Sequence, residues 1–599
     1  MTRILYILVL ITALPCAIRA SFVEGGKREF PISCNGVPCA VDSTNRGLYC
    51  SVKPGEGDSI KLVFTSETVP YLRINYKRYN MGDTVRLLNS MRRTYKLYIG
   101  AKMQLWTLYI TTLPIVMIEA SGYERDVYHH GYLNVIDPWK RTKNSALFRH
   151  FIGARIRGAH TAGLAKKPYA IKLWDAKREG KNVSVLGLMK DDNLILDAMY
   201  NDKARMRTRL CFDLWNRIDS IPYEVSAGHS KVNGTQGRFV EVFVDGAYNG
   251  LYCITDKINR RKLDLVKTES DADGKLTFHG LLYKATGWSN ETQFNNVDDN
   301  ANTANTLWWR EWEQKYPDDS VQMANWSPLK KLIKFAAPAT NPNNTNFASL
   351  LRKKFYQQNL TNFMLFINVL HINDNNCKNT YISFRDIDTP YATALITPWD
   401  LDASLGRNWD GGILDSFGFG GQVTACGLFR RLFDGGPHYY RENFRDTWIR
   451  LKNSVLSTDS VNARILAYKD LLYTSGAWGR EMARWPNSTA GIDSETEYMM
   501  DWYARSVHYT DSVLADFPSA INDVRTNPFG GISVGVEGGS IVVNSEAGTA
   551  GIAVYSTDGA LLESETAATP FRSRRLENGI YIVSVKAGDA TLRKKVLIR

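Results

Sequence analysis

Cysteine is scarce in this sequence, with eight among 599 residues. The spacing of these cysteines matches no common pattern of zinc ligands, so we predict no cysteine-based zinc site. Cys34, Cys39 and Cys50 lie close enough to pair locally in an oxidising compartment, although three thiols cannot all pair with one another. We therefore expect at most one disulfide near the N-terminus and buried thiols elsewhere.

Long apolar runs are also missing, except at the very start. Arg3 precedes a largely apolar run of 11 residues, Ile4 to Leu14, and the segment Ala17-Ile-Arg-Ala20 that follows ends on a small residue. Such a run is too short to span a bilayer and is typical of a secretory signal peptide, here residues 1–20. The segment from Leu105 to Ile118 contains Pro114 and favours a strand. We expect an exported protein without a transmembrane segment after signal cleavage.

No nucleic-acid recognition motif accompanies the net charge of +13. The basic residues are spread in short runs, which favours a solvated basic surface and no nucleic-acid partner. A polyanionic ligand, such as a nucleotide or an acidic glycan, is the alternative explanation. With 44% hydrophobic and 23% charged residues, the composition excludes extensive disorder.

The hydrophobic pattern divides the chain into three parts after the signal peptide. Residues 21–105 show short alternating strands, residues 106–516 mix strands with helices, and residues 528–599 return to β-hairpins. In the middle part, the motifs fall within residues 107–406 and a helical portion covers residues 427–516. The predicted fold class is α+β.

Several elements of the middle part can be placed from their periodicity. Apolar residues at helical spacing predict helices over Asp202–Arg217 and Phe347–Leu370. Strands Arg238–Val244 and Gly250–Thr255 are predicted to form a hairpin around Asp245-Gly246. The second helix should deliver a polar loop to the surface of the domain.

That polar loop carries the residues that point most clearly to chemistry. Asp374 and Asn379 are five positions apart, and Asp400 ends the second strand of the hairpin that follows. Phosphoryl transfer needs a carboxylate beside the attacking hydroxyl, and an amide oxygen with a second carboxylate around Mg²⁺. Each residue alone is as well explained by helix capping or an ordinary turn. The combination of helix, D-x4-N spacing, hairpin and P-W-D-L-D favours a catalytic site.

Seven ordered motifs resemble those of the spore-coat protein H (CotH) kinase family over about residues 107–406. They are Thr111-Thr-Leu-Pro-Ile-Val116, Arg157-Gly158, Lys166-Lys167-Pro-Tyr169, Asn201-Asp202-Lys203, Asp245-Gly246-Ala-Tyr248-Asn-Gly250-Leu-Tyr252, Lys378-Asn379-Thr-Tyr381 and Pro398-Trp-Asp400-Leu-Asp402. The resemblance implies an atypical protein-kinase-like domain that transfers the γ-phosphate of ATP to Ser or Thr of a protein. It also implies that Asp374 is the catalytic base or substrate-orienting group. Asn379 and Asp400 would hold Mg²⁺, with Mn²⁺ as the alternative ion and Asp402 as a second carboxylate.

The same resemblance implies further residues that bind the nucleotide. Lys172 lies in a Y-A-I-K strand like the kinase V-A-I-K strand, whereas Lys167 falls at the position of the family's own motif and is preferred. Arg157 also matches, although a structural ion pair would explain it equally well. Lys284 is a further candidate, with packing of its stem along a strand as the alternative. Asp256 stands where the family usually has Glu, and its shorter side chain reaches less far toward a ligand.

The last part of the chain resembles the type A sorting domain of the type IX secretion system of Bacteroidetes. The residues that carry this resemblance lie in Val554–Gly559, Leu576–Ile582 and Lys595–Arg599. The resemblance implies an Ig-like β-sandwich, the secretion machinery as a partner, and a protein that is secreted or displayed on the cell surface. An unrelated small Ig-like domain is the alternative.

Two functions remain open from the sequence. The first is an active exported kinase that modifies co-exported or surface proteins. The second is a catalytically weak or inactive kinase-fold surface protein that acts as an adhesin or binding module, because a fold alone does not determine function. A glycan-active enzyme has less support, since Asp400 and Asp402 are only two residues apart and no other acid–base pair is evident.

Overall fold

The computed structural model describes residues 32–519 and 532–598, apart from the positions 35, 54–58, 65–70, 75, 81, 89–93, 100–103, 140–146, 299–305, 319–322, 339–345, 391, 421–422, 424, 546, 557–559 and 589. The predicted signal peptide lies outside the described residues, as does the end of the Val554–Gly559 motif. The chain divides into two compact units, Met1–Phe517 and Pro518–Arg599.

The first unit begins with a β-rich region in which two sheets enclose one apolar core. Its strands are β1 (Ile32–Cys34), β2 (Val37–Pro38), β3 (Ala40–Asp42), β4 (Gly47–Ser51), β5 (Ser59–Phe64), β6 (Tyr71–Ile74), β7 (Lys77–Asn80), β8 (Thr84–Leu88), β9 (Thr94–Ile99) and β10 (Gln104–Thr111). The sheet orders are β2-β1-β5-β8 and β3-β4-β10-β9-β6-β7. Leu48, Trp106 and Leu108 are fully buried between the sheets. The predicted all-β N-terminal region is therefore confirmed.

The predicted strand Leu105–Ile118 is in fact two strands in two different sheets. β10 ends at Thr111, and the next strand begins at Ile115 in a separate barrel. Pro114 lies between them and has no backbone N–H to continue a ladder, although its carbonyl accepts a hydrogen bond from the Glu241 N–H at 3.0 Å. The break lets one apolar run contribute to two adjacent cores.

A closed seven-stranded barrel follows the β-rich region. Its strands are β11 (Ile115–Ala120), β12 (His129–Ile136), β13 (Leu147–Ile156), β14 (Tyr169–Trp174), β15 (Asn193–Asp197), β16 (Gly237–Val244) and β17 (Ala247–Thr255), in the order β11-β12-β13-β14-β15-β17-β16. The predicted hairpin is confirmed as β16–β17. Asp245 and Gly246 have φ values of 48° and 79°, and a two-residue turn of this kind needs positive φ at both positions. Tyr49 from the β-rich region stacks on Tyr248 of the barrel at 4.8 Å.

A five-stranded sheet and a group of helices complete the first unit. The strands are β18 (Glu269–Ser270) and β19 (Leu276–Thr277), which pair with each other, and β20 (Leu281–Ala285), β21 (Trp308–Trp309), β22 (Trp312–Tyr316), β23 (Thr380–Phe384) and β24 (Ala394–Pro398), in the sheet order β21-β22-β20-β23-β24. The helices are α1 (Arg207–Ile218), α2 (Pro222–Ser226), α3 (Ser327–Ala336), α4 (Phe347–Lys354), α5 (Gln357–Val369), α6 (Gly427–Gly435), α7 (His438–Lys452), α8 (Thr458–Thr474), α9 (Ala477–Arg484) and α10 (Ile492–Val513). Across the described positions, no helix combines the length and the apolar character that crossing a bilayer requires.

The predicted helix Phe347–Leu370 is wrong as a single helix, because it is divided into α4 and α5. Phe355 has an extended backbone, with φ −129° and ψ 145°, and forms a bridge with Ala394 at the start of β24. The Tyr356 N–H donates to the Ala394 carbonyl at 3.2 Å. This contact with a residue about 40 positions away interrupts a helix that the local apolar periodicity alone would continue.

The helix predicted over Asp202–Arg217 begins five residues later than expected. Asp202 instead caps α1, because its carboxylate accepts hydrogen bonds from the N–H groups of Met206 and Arg207, both at 2.6 Å. A carboxylate in this position satisfies N–H groups that have no partner within the helix. Asp202 of the Asn201-Asp202-Lys203 motif thus has a clear structural role.

The second unit is all-β and contains two sheets around one apolar core. Its strands are β25 (Ser533–Glu537), β26 (Ser540–Asn544), β27 (Thr549–Ser556), β28 (Leu561–Ala568), β29 (Phe571–Arg572), β30 (Gly579–Ala587) and β31 (Ala590–Ile598). Their orders are β25-β26-β29 and β28-β27-β30-β31. The predicted hairpins are present, whereas the Ig-like classification stays a prediction.

Candidate functional site

One cleft brings together most of the predicted site residues. It has a volume of about 490 Å³ and is lined by the ends of barrel strands on one side and by the five-stranded sheet on the other. Six of the predicted residues line it: Arg157, Lys284, Asp374, Asn379, Asp400 and Asp402. The other three predicted residues do not line it: Lys167, Lys172 and Asp256.

The loop that carries Asp374 begins where α5 is stopped by a residue in the left-handed conformation. His371 has φ 47°. Its N–H donates to the Asn368 carbonyl at 3.1 Å, and the Ile372 N–H donates to the Ile367 carbonyl at 2.7 Å. This pair of bonds is a Schellman motif, which ends a helix and turns the chain sharply. The predicted end of the helix at His371 is confirmed, and the turn presents Asp374 to the cleft.

Two contacts fix the loop around Asp374. The Lys378 ammonium lies 2.9 Å from the Asp374 carboxylate. The Asn375 side-chain amide donates to the carbonyls of Asn379 and Trp399, at 2.9 and 2.7 Å. Asn375 therefore ties the Asp374 loop to the strand end that carries Asp400. Sequence reasoning missed this residue, because an asparagine inside a polar loop carries no distinguishing signal.

Asn379 and Asp400 lie side by side at one end of the β23–β24 hairpin. The Trp399 N–H donates to the Asn379 carbonyl at 3.0 Å. Both residues have left-handed backbones, with φ 53° and 61°, a conformation that Asn and Asp tolerate better than most residues. Within the described part of the chain, neither side chain makes a hydrogen bond or an ion pair. Two oxygen-bearing side chains thus reach the cleft without a protein partner.

Two further carboxylates make this side of the cleft acidic. Burial raises the pKa of Asp402 well above its usual value, and the charges of Asp400 and Asp197 raise it further. Asp197 ends β15, and burial raises its pKa as well. Sequence reasoning missed Asp197, for which the only signal was an acid at a strand end close to the Asn201-Asp202-Lys203 motif. Clustered acids of this kind favour either a shared proton or a bound cation.

Three cations, Arg157, Lys257 and Lys284, line the same cleft and form what we call its basic wall. Burial lowers the pKa of Lys284 to about 8, although the nearby Asp400 charge acts in the other direction. Lys257 lines the same wall, and burial together with the Lys315 charge lowers its pKa to about 8. The Arg157 guanidinium lies over the Trp399 ring at 5.6 Å. These cations face a space suited to a polyanion, and Lys257 is a residue that sequence reasoning missed.

The three predicted residues outside the cleft have other contacts. The Lys167 ammonium donates to the Ala162 carbonyl at 2.8 Å. Lys172 lies near Asp192, whose pKa is raised by burial and by Asp191 while the Lys172 charge acts in the other direction. Asp256 is fully buried and pairs with Lys262 at 2.8 Å.

The lysine of this segment that does line the cleft is Lys166. It is fully buried, and its ammonium lies 2.8 Å from the Glu481 carboxylate of α9. Glu481 also pairs with the fully buried Arg205 at 2.8 Å and accepts a hydrogen bond from the Leu251 N–H. Sequence reasoning missed Lys166, because its partner lies 315 positions away.

The donor set of the acidic side fits a magnesium ion. Asn379, Asp400 and Asp402 offer only oxygen ligands, which Mg²⁺ prefers, and Mg²⁺ usually takes one or two carboxylates and completes its shell with phosphates and water. Within the described residues, only His279, Asp386 and Asp388 bring three acidic or imidazole ligand atoms within 4.8 Å of one another. That group lies at the other end of the sheet. No three carboxylates of the cleft are that close, so a cation there would rely partly on ligand oxygens.

Comparison with known proteins identifies the family of the domain that contains the cleft. The CotH kinase protein family model matches residues 154–509, which is more than half of the chain and contains nearly all of the cleft. No curated protein matches the chain. The family match indicates a kinase-like fold and includes the Asp374 loop, both hairpins and helix α9 with Glu481. The chain therefore belongs to the CotH kinase protein family.

Proposed function

We propose that this protein is an exported phosphotransferase that moves the γ-phosphate of ATP to Ser or Thr residues of co-exported or surface proteins. The observation that carries the proposal is the cleft itself. It holds partnerless oxygen donors and partnerless cations, together with Asp374, whose loop Asn375 ties to the strand end that carries Asp400. Family membership supports the same chemistry.

The basic wall is the proposed site for the nucleotide phosphates. Arg157, Lys257 and Lys284 make no ion pair or hydrogen bond through their side chains with any described residue. Charged groups that are half-buried without a partner are costly unless a ligand supplies the counter-charge. A triphosphate supplies it, which explains why three cations are held in one cleft.

The acidic wall is the proposed site for the metal and the acceptor. Asn379 and Asp400 would hold Mg²⁺, which neutralises the phosphate charge that develops during transfer. Asp374 would orient the acceptor hydroxyl and accept its proton. Lys378, at 2.9 Å, holds that carboxylate in place. Asp402 would add a second carboxylate near the metal.

Labelling with radioactive ATP tests the proposal. The purified full chain, with Mg²⁺ or Mn²⁺ and a mixture of exported proteins as acceptors, should transfer label to Ser or Thr. The Asp374→Ala variant should not. If the parent binds a nucleotide but transfers no label with either ion, the protein is a kinase-fold binding module and the transferase proposal is wrong.

Export and display complete the proposal. The apolar segment at residues 4–14 would direct the chain across the inner membrane, and the second unit would engage the secretion machinery of the outer membrane. The all-β architecture of that unit is compatible with a sorting domain. Deletion of residues 528–599 should leave the protein inside the cell envelope if the second unit acts in sorting, and should not change its location otherwise.

A further inference from the structure

The cysteines fall into two groups when their surroundings are compared. All seven described cysteines are buried. Five of them contact another cysteine: Cys50 contacts Cys39 and Cys34, and Cys377 contacts Cys426. Cys211 is instead near the Ser404 hydroxyl at 3.4 Å. Random burial of thiols does not explain two groups of neighbouring thiols among seven residues.

The first pair is placed by the register of two strands. Ala40 lies opposite Tyr49 in the β3–β4 ladder, so Cys39 lies opposite Cys50. Directly opposed residues in an antiparallel pair have Cα atoms about 4.5–5.5 Å apart, which is within the range that a disulfide spans. The two sulfur atoms are 2.7 Å apart, closer than two unbonded sulfur atoms pack. Only about 0.7 Å of approach separates them from the length of about 2.0 Å of a disulfide bond.

The second pair joins the catalytic loop to a helix. Cys377 lies between Asp374 and Asn379, and Cys426 is the residue before α6. Both line the same small apolar cavity and are 3% and 2% exposed. Burial alone would raise the pKa of Cys426, but hydrogen bonds from the Cys377 thiol and from the N–H groups of α6 lower it below its usual value. A thiol with a lowered pKa at the start of a helix is the better nucleophile of a pair.

We propose that the exported protein carries two disulfides, Cys39–Cys50 and Cys377–Cys426, and that the other described cysteines stay reduced. In each case one thiolate attacks a disulfide of a dithiol–disulfide oxidoreductase and forms a mixed disulfide. The second thiol then displaces the oxidoreductase sulfur. Two thiols lose two protons and two electrons, and the oxidant is reduced to a dithiol. Because the pairs are buried, the reaction belongs to folding after export.

The second disulfide has a consequence for the proposed phosphotransferase. It would fix the segment between Asp374 and Asn379 to α6 by a covalent bond, in addition to the hydrogen bonds of Asn375. This consequence rests on the proposed phosphotransfer, whereas the disulfides rest only on the proposed export. A protein that forms both disulfides but transfers no phosphate would refute the function and leave the disulfides standing.

Peptide mapping tests the proposal. The full chain is refolded with oxidised and reduced glutathione, alkylated in denaturant without reduction, digested with trypsin and analysed by mass spectrometry. We expect two linked pairs, with Cys34, Cys211 and Cys253 alkylated. Cys34 and Cys39 share a tryptic peptide, since no Lys or Arg lies between them, so variants must identify the partner of Cys50. Cys39→Ser should free Cys50, and Cys34→Ser should leave its linkage intact.

Two results would overturn the proposal. Alkylation of Cys377 and Cys426 in the oxidised protein would refute the second disulfide, and linkage of Cys50 to Cys34 in the parent would refute the first. A thermal readout gives an independent check, because reduction of the parent should lower its melting temperature by several degrees. The Cys377→Ser variant should have a lower melting temperature before reduction, and reduction should change it less. The melting temperature of Cys211→Ser should respond like that of the parent.

Discussion

Two groups of charged residues meet at the cleft and differ in one respect, the presence of protein partners. Lys166, Glu481 and Arg205 are fully buried, and each of the two cations lies 2.8 Å from the Glu481 carboxylate. Asp400 and Lys284, only a short distance away, make no hydrogen bond or ion pair with any residue that the structure describes. Charged side chains therefore pair with one another in the first group, whereas those of the second group remain available to bind a ligand.

The difference shows how a charged residue can be assigned to structure or to binding. A buried charge with partners on all sides holds elements together, here the barrel and α9, and its removal leaves the remaining charges uncompensated. A charge in the cleft without a protein partner keeps the free-energy cost of its partial desolvation until a ligand supplies the counter-charge. Loss of a residue from the paired group should therefore reduce stability, whereas loss from the partnerless group should reduce binding and catalysis.

The largest effect is expected for Asp374 and Asp400. Asp374→Asn removes the proposed proton acceptor and should lower the rate of phosphate transfer by about 10²–10⁴-fold, and Asp400→Asn should lower it on a similar scale. The rate is measured with labelled ATP at saturating magnesium. Asp470→Asn, on an exposed position of α8, is the matched control and should keep the parent rate. Equal rates in all variants would place the chemistry elsewhere.

The paired group should respond through stability. Glu481→Gln leaves two buried cations without a carboxylate and should cost about 3–5 kcal/mol in the free energy of unfolding. All 15 tryptophans precede Pro518, so tryptophan fluorescence in urea reports on the first unit alone. Asp501→Asn breaks an exposed ion pair with Arg505 and should cost less than about 1 kcal/mol. A Glu481→Gln variant as stable as the control would contradict the structural role of this group.

Nucleotide affinity should depend on the basic wall. Lys284→Gln removes a charged contact with the phosphates, and contacts of this kind contribute about 1.5–3 kcal/mol, so the Kd for Mg-ATP should rise by roughly 10-fold or more. Its unfolding curve should stay close to that of the parent. Lys267→Gln, exposed and outside the cleft, should leave the Kd unchanged. An unchanged Kd for Mg-ATP in Lys284→Gln would show that Lys284 does not contact the nucleotide.

A smaller effect is expected from pH. Burial lowers the pKa of Lys284 to about 8, and a lysine is charged below its pKa. Its contribution to phosphate binding should therefore be present at pH 7 and lost as the pH rises through 8. The Kd for Mg-ATP should rise several-fold between pH 7 and pH 9 in the parent and less in Lys284→Gln. Equal rises in both proteins would assign the titration to another group.

That the acidic candidates lie near one another could be predicted from local sequence patterns, whereas their roles stay predictions. The spacing of Asp374, Asn379 and Asp400 is a property of one helix end and one hairpin, and the structure places all three along the same cleft. The hairpins and the end of α5 at His371 follow from similar local rules. These features depend on residues that are neighbours along the chain, so sequence alone contains their determinants.

Long-range contacts account for what the sequence did not reveal. Phe355 interrupts the predicted helix because it pairs with Ala394. The sequence around Phe355 does not predict that contact. Lys166, rather than Lys167 or Lys172, reaches the cleft because Glu481 of α9 and the Leu251 carbonyl hold its ammonium. Asp256 forms an ion pair with Lys262. This acidic residue, at a position where the family usually has Glu, therefore has a structural contact in the core.

Titration of Mg²⁺ with a non-hydrolysable ATP analogue, followed by calorimetry, tests the central claim most directly. The claim is that the partnerless groups of the two walls bind a metal–nucleotide complex together. The parent should bind the analogue with Mg²⁺ and much more weakly with a chelator present, and Asp400→Asn should lose the dependence on Mg²⁺. Binding of equal strength with and without Mg²⁺ in the parent, or no binding at all, would contradict the account.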